Sequence, residues 1–243
     1  MKTLTVDLGG THLRVAIVEK AKILKLIEKE TPKTKNDLLS ELFKSIKECN
    51  SSEIKKIGIS CAGFIDNGTI KVSPNLPLKN FNLKSHIQNK FKKRVEIEND
   101  ANCVALAEAK YGVKKKNFFI LTLGTGVGGG IIINGKLYKG LGGGGELGHI
   151  ILNKGKELEH HFKKSKHNLE KLSDCLAQGI ASLISVFDPE IVILSGGVTN
   201  EGNKLLNRIK SKTKKYMFLP RMPEIRFSSF ENPGLIGAGL LFN

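Results

Sequence analysis

Hydrophobic and polar positions along this chain change period in a way that predicts its elements. Residues 3–8 (TLTVDL) and 13–18 (LRVAIV) alternate as strands joined by Gly9, Gly10, Thr11 and His12, with glycines where the chain must turn sharply. A third apolar run, 23–27, precedes a segment around 37–49 in which Leu38, Leu39, Leu42, Phe43 and Ile46 recur at helical spacing. A strand over 54–60 follows, then a hairpin turned at Asp66-Asn67-Gly68, then a short strand at 95–98 running into a helix at about 100–111.

The second half repeats this opening. Residues 118–123 read as a strand, 124–130 as a glycine loop and 131–133 as a return strand closed by Asn134-Gly135. Beyond a glycine-rich loop at 140–145, the pattern predicts a helix over 169–187, a strand at 191–194 and a helix over 203–215. A strand at 224–230 and a final helix from Pro233 complete it. Strands alternating with helices, each half opening on an antiparallel hairpin, predict an α/β protein with mixed sheets. Two lobes are expected, 1–110 and 111–243, with the last helix free to pack back on the first.

Composition narrows the class. Of 243 residues, 40% are hydrophobic and 26% charged, the balance of a soluble globular protein. The start, MKTLTVDLGG, enters a strand pattern without a signal-peptide profile, and no apolar run reaches membrane-spanning length. Cys49, Cys61, Cys103 and Cys175 stand singly, which suggests neither a disulfide framework nor a zinc ribbon, so a cytoplasmic location is expected and no membrane partner. The net charge of +16 would attract a polyanion. Only five of the basic residues are Arg, the side chain suited to bidentate phosphate and base contacts, and lysine runs such as 114–116 and 210–215 read as solvated faces. No nucleic-acid partner is expected.

Three glycine clusters follow apolar strands: Gly9-Gly10-Thr11, then Gly124-Thr125-Gly126-Val127-Gly128-Gly129-Gly130, then Ser195-Gly196-Gly197. Glycine lets backbone N–H groups approach an anion closely, so the three together predict binding of nucleotide phosphates. Gly124, Gly126 and Gly129 satisfy G-x-G-x-x-G, but a hairpin follows where a dinucleotide site needs a helix. The Walker-like spacing from Gly130 to Lys136 has Leu137 in place of the Mg2+-binding hydroxyl. Transfer of a phosphoryl group to an alcohol needs a carboxylate near the attacking hydroxyl. The candidate is Asp100, in Glu98-Asn99-Asp100-Ala101-Asn102 at a strand-to-helix junction; spacing alone leaves a helix N-cap as the alternative.

These motifs together resemble the ROK sugar kinases, which include bacterial glucokinases, fructokinases and N-acylmannosamine kinases. The likeness rests on Asp7-Leu-Gly-Gly-Thr11-x-x-Arg14, Ser73-Pro-Asn75-Leu-Pro77, Glu98 to Asn102, Gly124 through Lys136, Gly145-Glu146-Leu-Gly148-His149, Asp188 through Gly197, and Gly237-Ala238. The resemblance implies an actin-like (ribonuclease H-like) fold with sugar and ATP in a cleft between two lobes, and 6-phosphorylation of a hexose, glucose by default. It implies that Asp100 is the general base and that Asn99, Gly63, Glu146, His149 and Glu170 bind the sugar. Gly9, Gly10, Thr11, Gly124, Thr125, Gly126, Gly128, Gly196 and Gly197 would bind nucleotide and phosphates, with Asp7 holding Mg2+ through water. Family members often dimerise, so a homodimer enters as a partner expectation.

One departure is plain. The family commonly carries Cys-x-Cys-Gly-x-x-Gly-Cys before the sugar-binding Glu, thiolates that hold zinc together with the histidine of the Gly-His pair. This chain has His161, Lys163 and Asn168 there, so no zinc is expected and the segment with His160, His161 and His167 reads as a solvated loop. Two alternatives accompany the glucokinase reading: a polyphosphate donor, which the charge would suit, and a non-catalytic sugar-binding or regulatory protein. A repressor of this family carries a winged helix before the kinase-like body, and because the strand pattern starts near Met1 a repressor is not expected.

Overall fold

A computed structural model describes residues 2–242. In chain order it runs β1 (Thr3–Leu8), β2 (His12–Glu19), β3 (Lys22–Glu30), α1 (Lys35–Cys49), β4 (Lys56–Cys61), β5 (Phe64–Asp66) and β6 (Thr69–Val72). Next come α2 (Leu83–Phe91), β7 (Arg94–Asn99), α3 (Asp100–Ala107), β8 (Phe118–Leu123), β9 (Val127–Ile133), β10 (Lys136–Tyr138), β11 (Ile151–Asn153) and β12 (Lys156–Glu157). Then follow α4 (Leu158–Ser165), α5 (Leu169–Phe187), β13 (Ile191–Ser195), α6 (Gly202–Tyr216), β14 (Glu224–Phe227) and α7 (Pro233–Ala238). The chain divides into two compact units, one of residues 1–111, 141–143 and 232–243, the other of 112–140 and 144–231.

In the first unit a five-stranded sheet has the order β3-β2-β1-β4-β7. β1 pairs antiparallel with β2, β2 likewise with β3, and β1, β4 and β7 run parallel. The parallel strands end flush: Leu8, Cys61 and Asn99 share one register row, Asp7, Ser60 and Glu98 the row before. Whatever follows these strands is therefore presented along one edge, the carboxyl end that open α/β sheets use for ligands. Leu38, Leu42 and Ile46 line the buried face of α1 against Leu4, Val6, Ile57 and Ile59. Each such side chain contributes about 1.5–3 kcal/mol on burial, and truncating Leu42 to Ala would cost about 2–5 kcal/mol. α7 starts with Pro at its first turn, is buried throughout, and packs on α3, β1 and β4.

The second unit repeats the plan with the order β10-β9-β8-β13-β14, antiparallel from β8 outward to β10 and parallel from β8 to β14. Its core joins Phe119, Leu121 and Leu194 of the sheet to Leu176, Ile180, Leu183 and Ile184 of α5 and Leu205 and Ile209 of α6. α5 is capped by Asn168, whose side chain accepts from the Lys171 N–H at 3.0 Å, and stops at Asp188 in the left-handed region.

Some elements differ from the sequence expectation. The helix expected to reach residue 111 ends at Ala107 and continues as a π-type turn over Glu108–Gly112. The strand expected over 224–230 stops at Phe227. The His-rich stretch expected as a solvated loop contains α4, because Leu158 and Phe162, one helical turn apart, are buried in the second core.

Candidate functional site

In the first unit, the flush strand ends gather the acids. Asp7 Oδ1 accepts from the Ser60 hydroxyl at 2.7 Å, and Oδ2 lies 3.6 Å from Arg14 Nη1. Burial dominates its acidity and pushes the carboxyl above its usual range, against the pull of Ser60 and Arg14. Arg14 is held in turn by Glu28 at 3.0 Å, which also meets His12 at 3.1 Å. The glycine turn between β1 and β2 is braced from beyond β3, where the Thr31 hydroxyl donates to Gly9 O at 2.7 Å and Lys33 Nζ to Gly10 O at 3.0 Å.

At the end of β7, Asn99 is the N-cap: its Oδ1 accepts from the Asn102 N–H at 3.1 Å. Its Nδ2 donates to Gly63 O at 3.1 Å, tying the β4 exit to the β7 exit. Gly63 has φ +117°, and a Cβ there would lie 2.4 Å from Val72 O, so the position needs glycine twice over. Asp100 is thus the first residue of α3 and not its cap, with Oδ1 accepting from the Ala101 N–H at 2.9 Å. Glu98 is buried and anchors the junction through the Asn99 N–H at 2.9 Å and Asn102 Nδ2 at 3.1 Å. Asp7 and Asp100 are neighbours of the same thiol: burial first, then the charges of Asp100 and Asp7, push Cys61 well up. Two carboxylates therefore stand near one another at one sheet edge.

In the second unit, Gly124 to Gly126 form the tight connection of the β8–β9 hairpin, closed by Gly124 N–H to Gly126 O at 3.1 Å, and Val127 and Gly128 open β9. Two side chains from the α4 region enter this loop. Lys166 Nζ donates to Gly124 O at 2.7 Å and Thr125 O at 3.2 Å, and Glu159 Oε2 accepts from the Val127 N–H at 2.8 Å. A Cβ at Gly126 would lie 2.2 Å from that same oxygen, so glycine there admits the carboxylate. Burial works to raise the Glu159 pKa, but the Lys163 ammonium at 2.6 Å and the Val127 N–H outweigh it and hold the group below its usual range. The third cluster follows β13: Gly196 (φ +91°) accepts at its carbonyl from the Thr199 N–H and hydroxyl, at 3.0 and 2.9 Å, just before α6.

Glu146 and His149 share one short 3-10 turn, with His149 Nε2 3.8 Å from Glu146 Oε2 and Nδ1 3.0 Å from Glu157 Oε2. Glu170, at the start of α5, is bonded by Arg208 and, at 2.6 Å, by Lys212, both on α6. The Lys212 bond is the main reason its carboxyl lies below the usual range. The structure thus brings Glu146 and His149 together and pairs Glu170 with the bases of α6.

Ser60, Glu157, Glu159 and Lys166 are site neighbours that no sequence motif flagged. Among the described residues no group of three or more His, Cys, Asp or Glu is arranged to hold a metal ion, so the residues do not fit a zinc site. Asp7 offers a single, partly exposed carboxylate, which fits a Mg2+ ion that keeps several waters and takes other oxygens from phosphates. No helix among the described residues is long and apolar enough to cross a membrane.

The model of the ROK family matches residues 3–164 and 154–243. A glucokinase of Thermotoga maritima is 29% identical, the match covering 98% of this chain and 96% of that protein. That match spans 304 aligned positions against a chain of 243 residues, so the relative carries dozens of positions without counterparts here. A xylose repressor of Bacillus spizizenii is 30% identical over 67% of this chain and 53% of its own length. Among solved structures, a ROK family glucokinase from Streptomyces griseus, in complex with glucose and AMPPNP, superposes with TM-score 0.88 at 24% identity, covering 99% of each chain. The fold is the actin-like α/β architecture with mixed sheets that the sequence led us to expect.

Proposed function

Since this chain belongs to the ROK family, we propose that it is a sugar kinase that transfers the γ-phosphoryl group of ATP to the 6-hydroxyl of a hexose, glucose first among them. The observation that carries the reading is the pair of acids at one sheet edge, Asp7 beside Arg14 and Ser60, and Asp100 at the head of α3. In this reading Asp100 accepts the proton of the attacking hydroxyl as the new bond forms, while position and charge stabilise the transition state. Asn99 and Gly63, locked to one another, present fixed polar groups to the ring, and Glu146, His149 and Glu170 bond its other hydroxyls. Gly9, Gly10 and Thr11, the 124–128 loop, and Gly196 and Gly197 face the nucleotide and its phosphates. Asp7 would hold a Mg2+ ion through water, and when bound that ion would neutralise phosphate charge. Names among the relatives support this reading, glucokinase over nearly the full chain and glucose with an ATP analogue in the Streptomyces griseus structure.

The repressor relative motivates a second reading, sugar binding without chemistry. Asp7 and Asp100, of which a sugar sensor has no need, favour catalysis. A coupled ADP-release assay across glucose, fructose, mannose and N-acylated hexosamines tests the proposal. Sugar-dependent ADP release with glucose leading is expected, and release that no sugar stimulates would overturn it.

A further inference from the structure

The environment of His149 differs from a metal site in a way that assigns a role to a residue outside every motif. His149 ends the 3-10 turn that begins beside Glu146, and its ring is about half exposed, so packing alone does not fix its orientation. Its Nδ1 lies 3.0 Å from Glu157 Oε2. Glu157 is itself held in place: it pairs with Ile151 across the β11–β12 hairpin, and the next residue, Leu158, is buried and donates its N–H to Ile150 O at 2.9 Å. The carboxylate is thus delivered by backbone tied to the residue immediately after His149.

We infer that Glu157 is the positioning residue for His149, a carboxylate doing in this chain what a metal ion would do for a ligated imidazole. An ionised carboxylate only accepts hydrogen bonds, so the proton between the two groups belongs to His149 Nδ1. Whenever the ring carries one proton, this bond selects the tautomer whose Nε2 has the lone pair. That nitrogen lies 3.8 Å from Glu146 Oε2. A sugar hydroxyl can donate to Nε2 and a neighbouring hydroxyl to Glu146, which gives the turn two acceptors for adjacent O–H donors. Without Glu157 the ring rotates and exchanges tautomers, and sugar binding must supply the ordering that Glu157 otherwise provides. The inference rests on the proposed function for the sugar, but not for the state of the ring.

The test compares wild type with Glu157→Ala and Glu157→Gln, using glucose as the varied substrate and 15N NMR of the His149 ring without sugar. Glu157→Ala is expected to raise the glucose KM roughly tenfold while kcat and the ATP KM stay within about twofold. Its ring should move from the Nδ1–H tautomer toward Nε2–H. Glu157→Gln, whose amide oxygen still accepts from Nδ1–H, should recover most of the affinity and the wild-type tautomer. Both side chains are well exposed, so unfolding should not obscure the result. An unchanged glucose KM or an unchanged tautomer in Glu157→Ala overturns the inference. A wild-type protein that phosphorylates no sugar sinks the proposed function, and the tautomer then decides the role of Glu157 alone.

Discussion

Asp100 opens α3 while Asn99 carries the cap, so the two neighbouring side chains have separable tasks. Asp100→Asn preserves shape and removes the proton acceptor: kcat should fall roughly 10²-fold to 10⁴-fold with the sugar KM nearly unchanged. Turnover close to wild type in a steady-state assay would refute the assignment. Asp7 makes a different kind of prediction. Because burial raises its pKa, the folded protein retains a proton there over a range in which the unfolded chain has released it. Its contribution to stability is full in acid and declines as pH climbs from the usual carboxylate range through the raised value. Asp7→Asn removes that decline, so the Tm at pH 7 should rise while activity collapses. A lower Tm at pH 7 by calorimetry would mean that the bonds to Ser60 and Arg14 outweigh the cost of burial.

At the scale of elements, α4 sets the state of the glycine loop. Glu159 places a negative charge on the Val127 N–H, at a loop proposed to face nucleotide phosphates. Glu159→Gln keeps an acceptor for that N–H and deletes the charge, so the ATP KM should fall by about threefold with kcat retained. A raised ATP KM in initial-rate measurements would mean that the loop needs the charge for its shape. α4 also marks where the sequence stops being legible. The two hairpins and α5 were readable because their patterns are local: alternation broken by glycine, and apolar residues recurring through nineteen positions. α4 has only Leu158 and Phe162 as buried large apolar side chains among eight residues, and its histidines and lysines read as loop. α2 escaped notice for the same reason, having only Leu83 and Ile87 buried. The candidate acids were legible where they sat in motifs. Glu157 and Glu159 were not, since their importance arises from contacts with residues 8 and 32 positions away. Glu170 shows the converse: the motif marks it, while its partners Arg208 and Lys212 come from the distant α6.

For the molecule as a whole, the charge of +16 is the feature that sets it apart from an average globular chain. The charge raises the question of the donor. Much of it rests on exposed lysines, whose attraction for a polyanion is screened over roughly 8 Å at physiological salt. ATP should therefore outperform polyphosphate at that ionic strength, and turnover only with polyphosphate, falling steeply as salt is added, would transfer the donor site to the lysine surface. One reaction tests the proposed function most directly. Incubating the protein with Mg2+, ATP and glucose and following 31P NMR should show glucose 6-phosphate appearing in step with ADP, no sugar phosphate from 6-deoxyglucose, and near silence with Asp100→Asn. Absence of sugar phosphate from every hexose offered with ATP, or its formation at an undiminished rate by Asp100→Asn, would contradict it.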